Sequence, residues 1–301
     1  MQKAWFHKEN GSVNVLQFGE FPLPNVGTGQ LLIKVKAAAL NPIDYKILNP
    51  RRTRRTLPAA PGCDVAGVVA DVGGGASKFN KGDEVYGDIQ DFTAGNLQQY
   101  GTLAQYTVAE EHLMALKPSN FLPLALLTAL QSFDTVNFQK GQSVFIVGGA
   151  GGVGTLAIQL AKHVFEASRI VSTASTGKLD FVKSLGADLV VDYTQQSYDR
   201  VPEKFDFVFD TIGESFKSHV VAKEEGKVVD IASFPPHPRA ESVILKPRGS
   251  NLERLRDFIE SGKLKAVLDP KSPYAFSEVV NAFKHQESGR ARGKIVVSPI
   301  E

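Results

Sequence analysis

The pattern of apolar and polar residues differs between the first and second parts of the chain. Before about residue 117 the apolar runs are short, as at 31–38 and 65–72, and glycine and proline separate them. Short runs of this kind between turn residues indicate an all-β barrel or sandwich-like unit. From Pro123 onward, buried-strand runs alternate with segments in which apolar residues recur at helical spacing. This second pattern predicts a doubly wound parallel sheet with helices on both faces, so the fold class is α/β.

The element boundaries follow from the same pattern. In the first part the sequence predicts strands at 31–38, 65–72, 85–87, 102–108 and 112–116. In the second part it predicts helices at 124–133, 155–165, 178–185 and 215–223, and strands at 143–147, 169–173, 189–192, 206–210 and 227–231. Helices at 252–261 and 277–285 and a closing strand at 295–297 complete the chain.

One stretch joins a strand, a glycine turn and a helix. The strand at 143–147 is followed by Gly149, Gly151 and Gly154, which give the pattern G-x-G-x-x-G. In this context the first glycine permits a tight turn, the second lets the backbone approach a pyrophosphate, and the third lets helix and strand pack closely. The helix N-terminus then offers N–H groups and a positive dipole end to the phosphates. The alternative is a glycine turn that serves packing alone.

The end of the next strand indicates which dinucleotide is bound. An NAD enzyme usually has Asp or Glu there, which binds the ribose 2′-hydroxyl. This chain instead has Ser175, Thr176 and Lys178. Hydroxyls and an ammonium group would hold a 2′-phosphate, whereas a carboxylate would repel it. The sequence therefore predicts NADPH rather than NADH; the alternative is a helix N-cap at Ser175 or Thr176 beside a solvated lysine.

Composition narrows the possibilities further. The 301 residues have a formal net charge of +2 and contain one cysteine, Cys63. The near-neutral charge argues against a nucleic-acid partner, and the basic run at 51–55 is expected to be a solvated loop. A single cysteine excludes intramolecular disulfides and suits a reducing compartment. No transmembrane segment, signal peptide or transit peptide is predicted.

Several motifs together resemble a known family. They are GGAGGVG at 148–154, AKHVF at 161–165, ASTGKLD at 174–180, LGADLVVD at 185–192 and DEVYGD at 83–88. These resemble the zinc-independent medium-chain dehydrogenase/reductases, in the quinone-oxidoreductase-like group that includes plant enone oxidoreductases. The resemblance implies a GroES-like β-rich domain from residues 1–117 and 265–301, with an NADPH-binding Rossmann domain at 118–264 between them. The substrate is then expected in the cleft between the domains.

The resemblance also implies an activity. Relatives of this kind reduce the C=C bond of α,β-unsaturated carbonyl compounds with NADPH, and quinones are further acceptors. The alternatives are a quinone reductase and an NADPH-binding protein with a regulatory or structural role. An NADP-linked alcohol dehydrogenase ranks last, because Asn41 and Cys63-Asp64 stand where zinc-dependent members have Cys and His-Glu. One soft ligand without an imidazole partner cannot build a zinc site, so no metal is predicted. Cys63 is expected to be a buried side chain; the alternative is a redox role.

Site residues are carried over at matching positions. Ser175, Lys178 and Tyr193 match the positions that grip the 2′-phosphate, although Tyr193 could also be a surface aromatic. Gly152 and Val153 match the N–H groups that face the pyrophosphate. The residues that would border the nicotinamide or flank the nucleotide are Thr128, Gly213 and Ile231.

Catalytic side chains are harder to place. Charge develops on the substrate carbonyl oxygen, which needs a hydrogen-bond donor. The segment 41–46 offers Asn41, Tyr45 and Lys46, and Lys46 matches a lysine implicated in substrate handling. Their structural alternatives are a turn at Asn41, a core position for Tyr45 and a solvated Lys46.

Three segments depart from the family pattern. The segment 118–124 is short, either as a true deletion or because residues are missing from it, and 51–56 and 235–239 differ as well. These departures affect the expected pocket shape more than the cofactor site. A homodimer through the edge of the Rossmann sheet is common in the superfamily. A cytoplasmic location is expected, with a chloroplast location without a cleaved presequence as the alternative.

Overall fold

The structure, a computed structural model, describes residues 1–49, 56–93, 97–118 and 122–301. The predicted loop at 51–55 and residues 119–121 of the short segment lie outside the described residues. The chain divides into two compact units. The first contains Met1–Leu124, Lys246–Arg256 and Leu268–Glu301, and the second contains Ala125–Leu245 and Asp257–Val267. The predicted ranges of the first domain were 1–117 and 265–301. The first unit instead extends to Leu124, also takes in Lys246–Arg256, and resumes at Leu268.

The first unit is built on antiparallel sheets. Its larger sheet has the order β14-β3-β4-β5-β7, and β6 also pairs with β3; β1 and β2 form a separate pair. The alternation within β3 explains its placement, because Leu31, Ile33 and Val35 are buried whereas Lys34 and Lys36 are exposed. The strands are β1 Gln2–Phe6, β2 Gln17–Phe21, β3 Gln30–Leu40, β4 Asp64–Val72, β5 Glu84–Asp88, β6 Tyr106–Glu110, β7 Met114–Leu116 and β14 Ile295–Val297.

Three α-helices accompany these strands: α1 Pro42–Lys46, α6 Gly249–Arg254 and α8 Val279–Glu287. In α8, Val279, Ala282 and Phe283 are buried at the spacing of one helix face. They join the core formed by the inward residues of β3, β4 and β14. The C-terminal segment thus completes a core that begins near the N-terminus.

The second unit contains one six-stranded parallel sheet, with the order β10-β9-β8-β11-β12-β13. Numbered from one to six within the unit, this order is 3-2-1-4-5-6, which is the Rossmann arrangement. The predicted combination of a GroES-like β-rich domain and a Rossmann domain is therefore confirmed. The strands are β8 Ser143–Val147, β9 Arg169–Ala174, β10 Leu189–Asp192, β11 Phe205–Asp210, β12 Ala222–Asp230 and β13 Ala240–Ser242.

Helices α3 Gly152–His163, α4 Leu179–Ser184, α5 Ser215–Ser218 and α7 Arg256–Glu260 accompany the parallel strands, and α2 Pro123–Thr135 precedes them. Two predicted helices differ from the structure in extent. The helix expected at 215–223 consists of α5 and a 3-10 turn at His219–Val221, and it ends two residues early because β12 begins at Ala222; the exposed charges of 223–225 conceal this strand in the sequence. The helix expected at 252–261 is interrupted at Leu255, and β13 was not predicted.

Candidate functional site

The glycine turn between β8 and α3 is tightly packed at two positions. All five residues of β8 are buried. A Cβ on Gly149 would overlap the Ser172 hydroxyl and lie 3.0 Å from Val182 Cγ1. A Cβ on Gly154 would overlap the Gly148 carbonyl oxygen and lie 2.8 Å from the Gly149 Cα. The first and third glycines of the motif are thus required by the packing of the turn itself.

The middle glycine, Gly151, has a different environment. The nearest atom to a Cβ there would be the Gly148 carbonyl oxygen at 3.5 Å, an ordinary contact. Gly151 is also the N-cap of α3. Because glycine has no side chain, the N–H groups of the first turn receive no capping hydrogen bond from it. Packing does not require a glycine at this position, and the missing Cβ leaves the N–H groups of Gly152 and Val153 open to the approach of a ligand. The turn therefore fits a pyrophosphate.

The predicted 2′-phosphate residues lie at the ends of two neighbouring strands. Asp192 of β10 pairs with Ala174 of β9, and the Tyr193 N–H donates to the Ala174 carbonyl oxygen at 3.2 Å. Ser175 and Tyr193 consequently leave the sheet beside each other. The Tyr193 side chain is exposed, and the Lys178 N–H donates to the Ser175 carbonyl oxygen at 2.8 Å.

An acid also lies at this edge, which the sequence reading missed. The Asp192 carboxylate accepts hydrogen bonds from the Thr176 hydroxyl at 2.6 Å and from the Thr194 hydroxyl at 2.6 Å. These donors lower the pKa of Asp192. The signal was present in the sequence, because an aspartate ends the predicted strand at 189–192. That strand pairs in parallel with β9, so both strands end at the same edge.

Two buried aspartates shape the loops after β11 and β12. Asp210 and Asp230 face each other in register. Asp210 accepts the N–H of Gly213 at 2.9 Å, and Asp230 accepts the N–H of Ser233 at 3.0 Å. The Ser233 hydroxyl then donates to the Gly213 carbonyl oxygen at 2.9 Å. Both backbone polar groups of Gly213 are therefore hydrogen-bonded, its N–H to Asp210 and its carbonyl oxygen to Ser233.

The two residues predicted beside the nicotinamide, Thr128 and Ile231, both belong to the second unit. Ile231 follows β12, and its N–H donates to the Asp210 carbonyl oxygen at 3.1 Å. Thr128 lies on α2 and is 7% exposed. Its carbonyl oxygen accepts the Ser132 hydroxyl at 2.8 Å.

In the first unit, the candidate catalytic segment begins with a capped helix. Pro42 occupies the first turn of α1, where its missing N–H costs nothing. The Asn41 N–H donates to the Asp44 carboxylate at 2.7 Å. Tyr45 is partly buried and packs against the core, and Lys46 ends the helix. Tyr45 and Lys46 thus lie on an element whose start is fixed by hydrogen bonding.

Asn41 is enclosed in a buried polar network and is 2% exposed. Its amide nitrogen donates to the Ala39 carbonyl oxygen at 3.3 Å and to the Asp64 carboxylate at 3.0 Å. Its amide oxygen accepts a hydrogen bond from the Lys294 ammonium. Both N–H groups of the amide are therefore committed within the protein. Lys294 could not be found from the sequence, because it lies 253 residues from Asn41.

Burial dominates the electrostatics of this network. It raises the pKa of Asp44 to about 6 and raises the pKa values of Asp64 and Asp88 as well. The pKa of the Cys63 thiol is likewise raised well above its usual range by burial and by the nearby Asp44. Cys63 therefore remains a neutral thiol that donates to Asp44.

This donor set does not fit zinc. A zinc site needs several thiolate or imidazole ligands, whereas this part of the protein offers an amide, a single thiol and carboxylates already engaged with Lys294 and the backbone. Over residues 1–49, 56–93, 97–118 and 122–301, no group of three or more His, Cys, Asp or Glu side chains is arranged to hold a metal ion. In the same ranges, none of the helices is both long and apolar enough to cross a bilayer.

Two family models match the chain. The model described as "Alcohol dehydrogenase GroES-like domain" matches residues 27–119, and the model described as "Zinc-binding dehydrogenase" matches residues 185–297.

Curated relatives and solved structures match nearly the whole chain. The 2-methylene-furan-3-one reductase of Solanum lycopersicum is 46% identical, over 99% of this chain and 79% of that protein. The chloroplastic NADPH-dependent alkenal/one oxidoreductase of Arabidopsis thaliana is 45% identical, over 99% of this chain and 80% of that protein. Among solved structures, the quinone oxidoreductase from Coxiella burnetii is 30% identical, with a TM-score of 0.88 and 99% of each chain covered.

Proposed function

Since the chain belongs to the medium-chain dehydrogenase/reductase family, we propose that it is an NADPH-dependent oxidoreductase that reduces the C=C bond of α,β-unsaturated carbonyl compounds. The observation that carries the cofactor part is the open position at Gly151, at the start of the helix after the central strand of a Rossmann sheet. The acceptor class follows from two relatives that are 46% and 45% identical and are named for enone and alkenal reduction.

The residues that would hold NADPH form two groups. The turn of Gly149, Gly151, Gly152, Val153 and Gly154 takes the pyrophosphate, because its backbone N–H groups and helix dipole favour an anion. The remaining candidates contact other parts of the cofactor. Ser175, Lys178 and Tyr193 would bind the 2′-phosphate, Thr128 and Ile231 would border the nicotinamide, and Gly213 would flank the nucleotide. When bound, NADPH supplies a hydride from nicotinamide C4 to the β-carbon of the substrate.

The first unit supplies the donor to the substrate carbonyl. As negative charge develops on that oxygen, a hydrogen bond from a fixed side chain stabilises the transition state. The Asn41 amide is committed to Ala39, Asp64 and Lys294. We therefore assign the donor role to Lys46 or Tyr45 and give Asn41 the task of fixing the start of their helix. The α-carbon then takes its proton from water or from a side chain.

A quinone reductase is the second candidate. The likeness to the quinone oxidoreductase from Coxiella burnetii, at 30% identity over 99% of both chains, favours it. Both reactions use the same hydride donor, so the cofactor residues are identical under either proposal. A purely regulatory NADPH-binding protein would keep those residues but would show no turnover.

The first experiment is NADPH oxidation with a small vinyl ketone, a 2-alkenal and an ortho-quinone, with NADH as the control cofactor. Fast oxidation with the vinyl ketone and a saturated ketone as product is expected. Oxidation with the quinone alone would replace the main proposal with the second. NADPH binding without turnover of any acceptor would refute both and support the regulatory role.

Two finer proposals concern assembly and location. A homodimer through the sheet edge is supported by β13, which is the last strand in the parallel order. A location in the cytoplasm remains our proposal, and the name of the Arabidopsis thaliana relative supports the chloroplast alternative. Light scattering of the purified protein and imaging of a fluorescent fusion test these two points.

A further inference from the structure

A buried lysine links the last strand of the chain to the candidate catalytic segment. Lys294 directly precedes β14 and is 5% exposed. Its ammonium donates to the Leu40 carbonyl oxygen at 2.8 Å and to the Asn41 amide oxygen, and it lies 3.5 Å from Asp64 Oδ2. These three partners use the full donor capacity of an ammonium group.

The opposite charges of Lys294 and Asp64 define the orientation of the Asn41 amide. The amide oxygen faces the ammonium, and the amide nitrogen faces the carboxylate. A flipped amide would place its N–H groups against the ammonium and its oxygen against the carboxylate, which costs two hydrogen bonds at a buried site. The ion pair therefore selects one of the two amide orientations.

The same contacts fix the backbone at the entry to α1. Lys294 holds the Leu40 carbonyl oxygen, while Asp44 accepts the Asn41 N–H. The peptide between Leu40 and Asn41 is thus held at both of its polar groups. Because α1 has only five residues, its placement depends on this entry point more than on its own hydrogen bonds.

We propose that Lys294 is a positioning residue, which acts through Asn41 to hold α1 and with it Tyr45 and Lys46. The proposal rests on the enone-reductase function for its catalytic meaning. It gives a role to Lys294, which belongs neither to the glycine motif nor to the candidate donors. Misplacement of a catalytic group by about 1 Å can cost roughly 100-fold in rate.

The test uses the full-length protein with Lys294→Met, Lys294→Gln and a matched control, Lys81→Met. Lys81 forms an exposed ion pair with Asp71 in the same unit, so its loss controls for removal of a lysine–aspartate pair. We expect Lys294→Met to lower kcat with a vinyl ketone about 10- to 100-fold, with the NADPH dissociation constant within about twofold of that of the wild type. Lys294→Gln keeps a donor without the charge and should retain more activity than Lys294→Met.

Hydrogen–deuterium exchange supplies a readout that does not depend on turnover. Peptides covering 39–47 should exchange faster in Lys294→Met than in the wild type or in Lys81→Met, while peptides from β8 and α3 should not change. Unchanged exchange at 39–47 overturns the proposal. Absence of wild-type turnover would refute the enone-reductase function, and the exchange result would still decide whether Lys294 positions α1.

A double-mutant cycle tests whether Lys294 acts through Asn41. We expect Asn41→Ala combined with Lys294→Met to lose no more kcat than the more damaging single variant. Effects that multiply would show that the two residues act independently and would overturn the proposal. If Lys294→Met fails to fold because Asp64 is left unpaired, the cycle is carried out with Lys294→Gln, with the same criteria.

Discussion

The hydroxyl of Thr176 donates a hydrogen bond of 2.6 Å to the carboxylate of Asp192, at the edge of the sheet where β9 and β10 end. Thr194 satisfies the same carboxylate with both its hydroxyl and its N–H. The negatively charged Asp192 carboxylate thus accepts hydrogen bonds from Thr176 and Thr194, in the segments that directly follow β9 and β10. It shares the edge with Ser175 and Lys178, which we propose bind a 2′-phosphate. The Thr176 hydroxyl is thus used on the acid, and the residues that we propose for the phosphate remain Ser175, Lys178 and Tyr193.

Lys178→Ala is expected to reduce discrimination between NADPH and NADH. Loss of a charge-assisted hydrogen bond to phosphate costs about 1.5–3 kcal/mol, so kcat/KM for NADPH should fall about 10- to 100-fold. The value for NADH should change by less than about twofold, because the 2′-phosphate is absent. Steady-state kinetics with both cofactors measure this.

The control for this experiment is Lys183→Ala, which removes a lysine from the last turn of α4. It should leave the NADPH-to-NADH ratio unchanged. Equal losses with both cofactors in Lys178→Ala would contradict the assignment of that residue to the phosphate.

Gly151→Ala and Gly154→Ala are expected to separate binding from folding. A methyl group on Gly151 meets its nearest atom at 3.5 Å, so the melting temperature should be close to that of the wild type. It would stand where the pyrophosphate approaches, and NADPH affinity should fall by at least about tenfold. Gly154→Ala instead places a methyl group against Gly148 and should lower the melting temperature by several degrees.

Thermal melts and NADPH fluorescence titrations on the two glycine variants decide this point. Gly74→Ala is the matched control, because a Cβ there meets nothing within 4 Å. Full NADPH affinity in Gly151→Ala would support the reading in which the glycine turn serves packing alone.

Lys46→Met is expected to lower kcat for a vinyl ketone by about 100-fold, since loss of one donor to a developing oxyanion has about that effect. The NADPH dissociation constant should be unchanged, because Lys46 belongs to the unit without the Rossmann sheet. Lys34→Met, on the exposed face of β3, serves as control. Wild-type kcat in Lys46→Met together with a large loss in Tyr45→Phe would transfer the donor role to Tyr45.

Asp44 is expected to make stability depend on pH between about 4 and 6. Burial raises its pKa from 3.8 to about 6 in the folded protein, so in that range the folded state binds more protons than the unfolded state. The free energy of unfolding should therefore fall as pH rises through this window, by up to about 3 kcal/mol from this group. Asp44→Asn should flatten this slope, as urea denaturation at pH 4, 5, 6 and 7 would show.

The control for the pH experiment is Asp71→Asn. Asp71 is exposed, and its hydrogen bond with Lys81 lowers its pKa, so it does not titrate within this window. In Asp71→Asn, the free energy of unfolding should depend on pH as it does in the wild type. An identical slope in Asp44→Asn would show that Asp44 titrates normally.

Local patterns in the sequence predicted much of the fold. The Rossmann sheet follows from the glycine motif and from apolar runs that are buried on both faces, and the closing strand at Ile295–Val297 was predicted with its observed bounds. Strand β12 was harder, because between the buried Ala222 and the buried residues 228–230 it carries the exposed charges of 223–225. Apolar residues reveal the bounds of a strand only where the strand is buried along its whole length.

The network around Asn41 shows a second limit. Asn41 and Cys63-Asp64 were singled out as positions where zinc-dependent members have ligands, but Asn41 and Asp64 contact Lys294 and the Cys63 thiol contacts Asp44. No spacing rule relates residues 253 positions apart, and the sequence alone offered the amide as a free donor. Only the pairing of β14 with β3 brings the ammonium to it.

The placement of Lys294 determines the order in which the two units can fold. All six strands of the parallel sheet lie within residues 143–242, so that unit can form while the chain is still being made. The first unit cannot complete its core as early, because the buried Asp64 pairs with Lys294, which is made 230 residues later. An unpaired buried carboxylate is costly, so we expect the first unit to reach its final fold only after Lys294 has been synthesised.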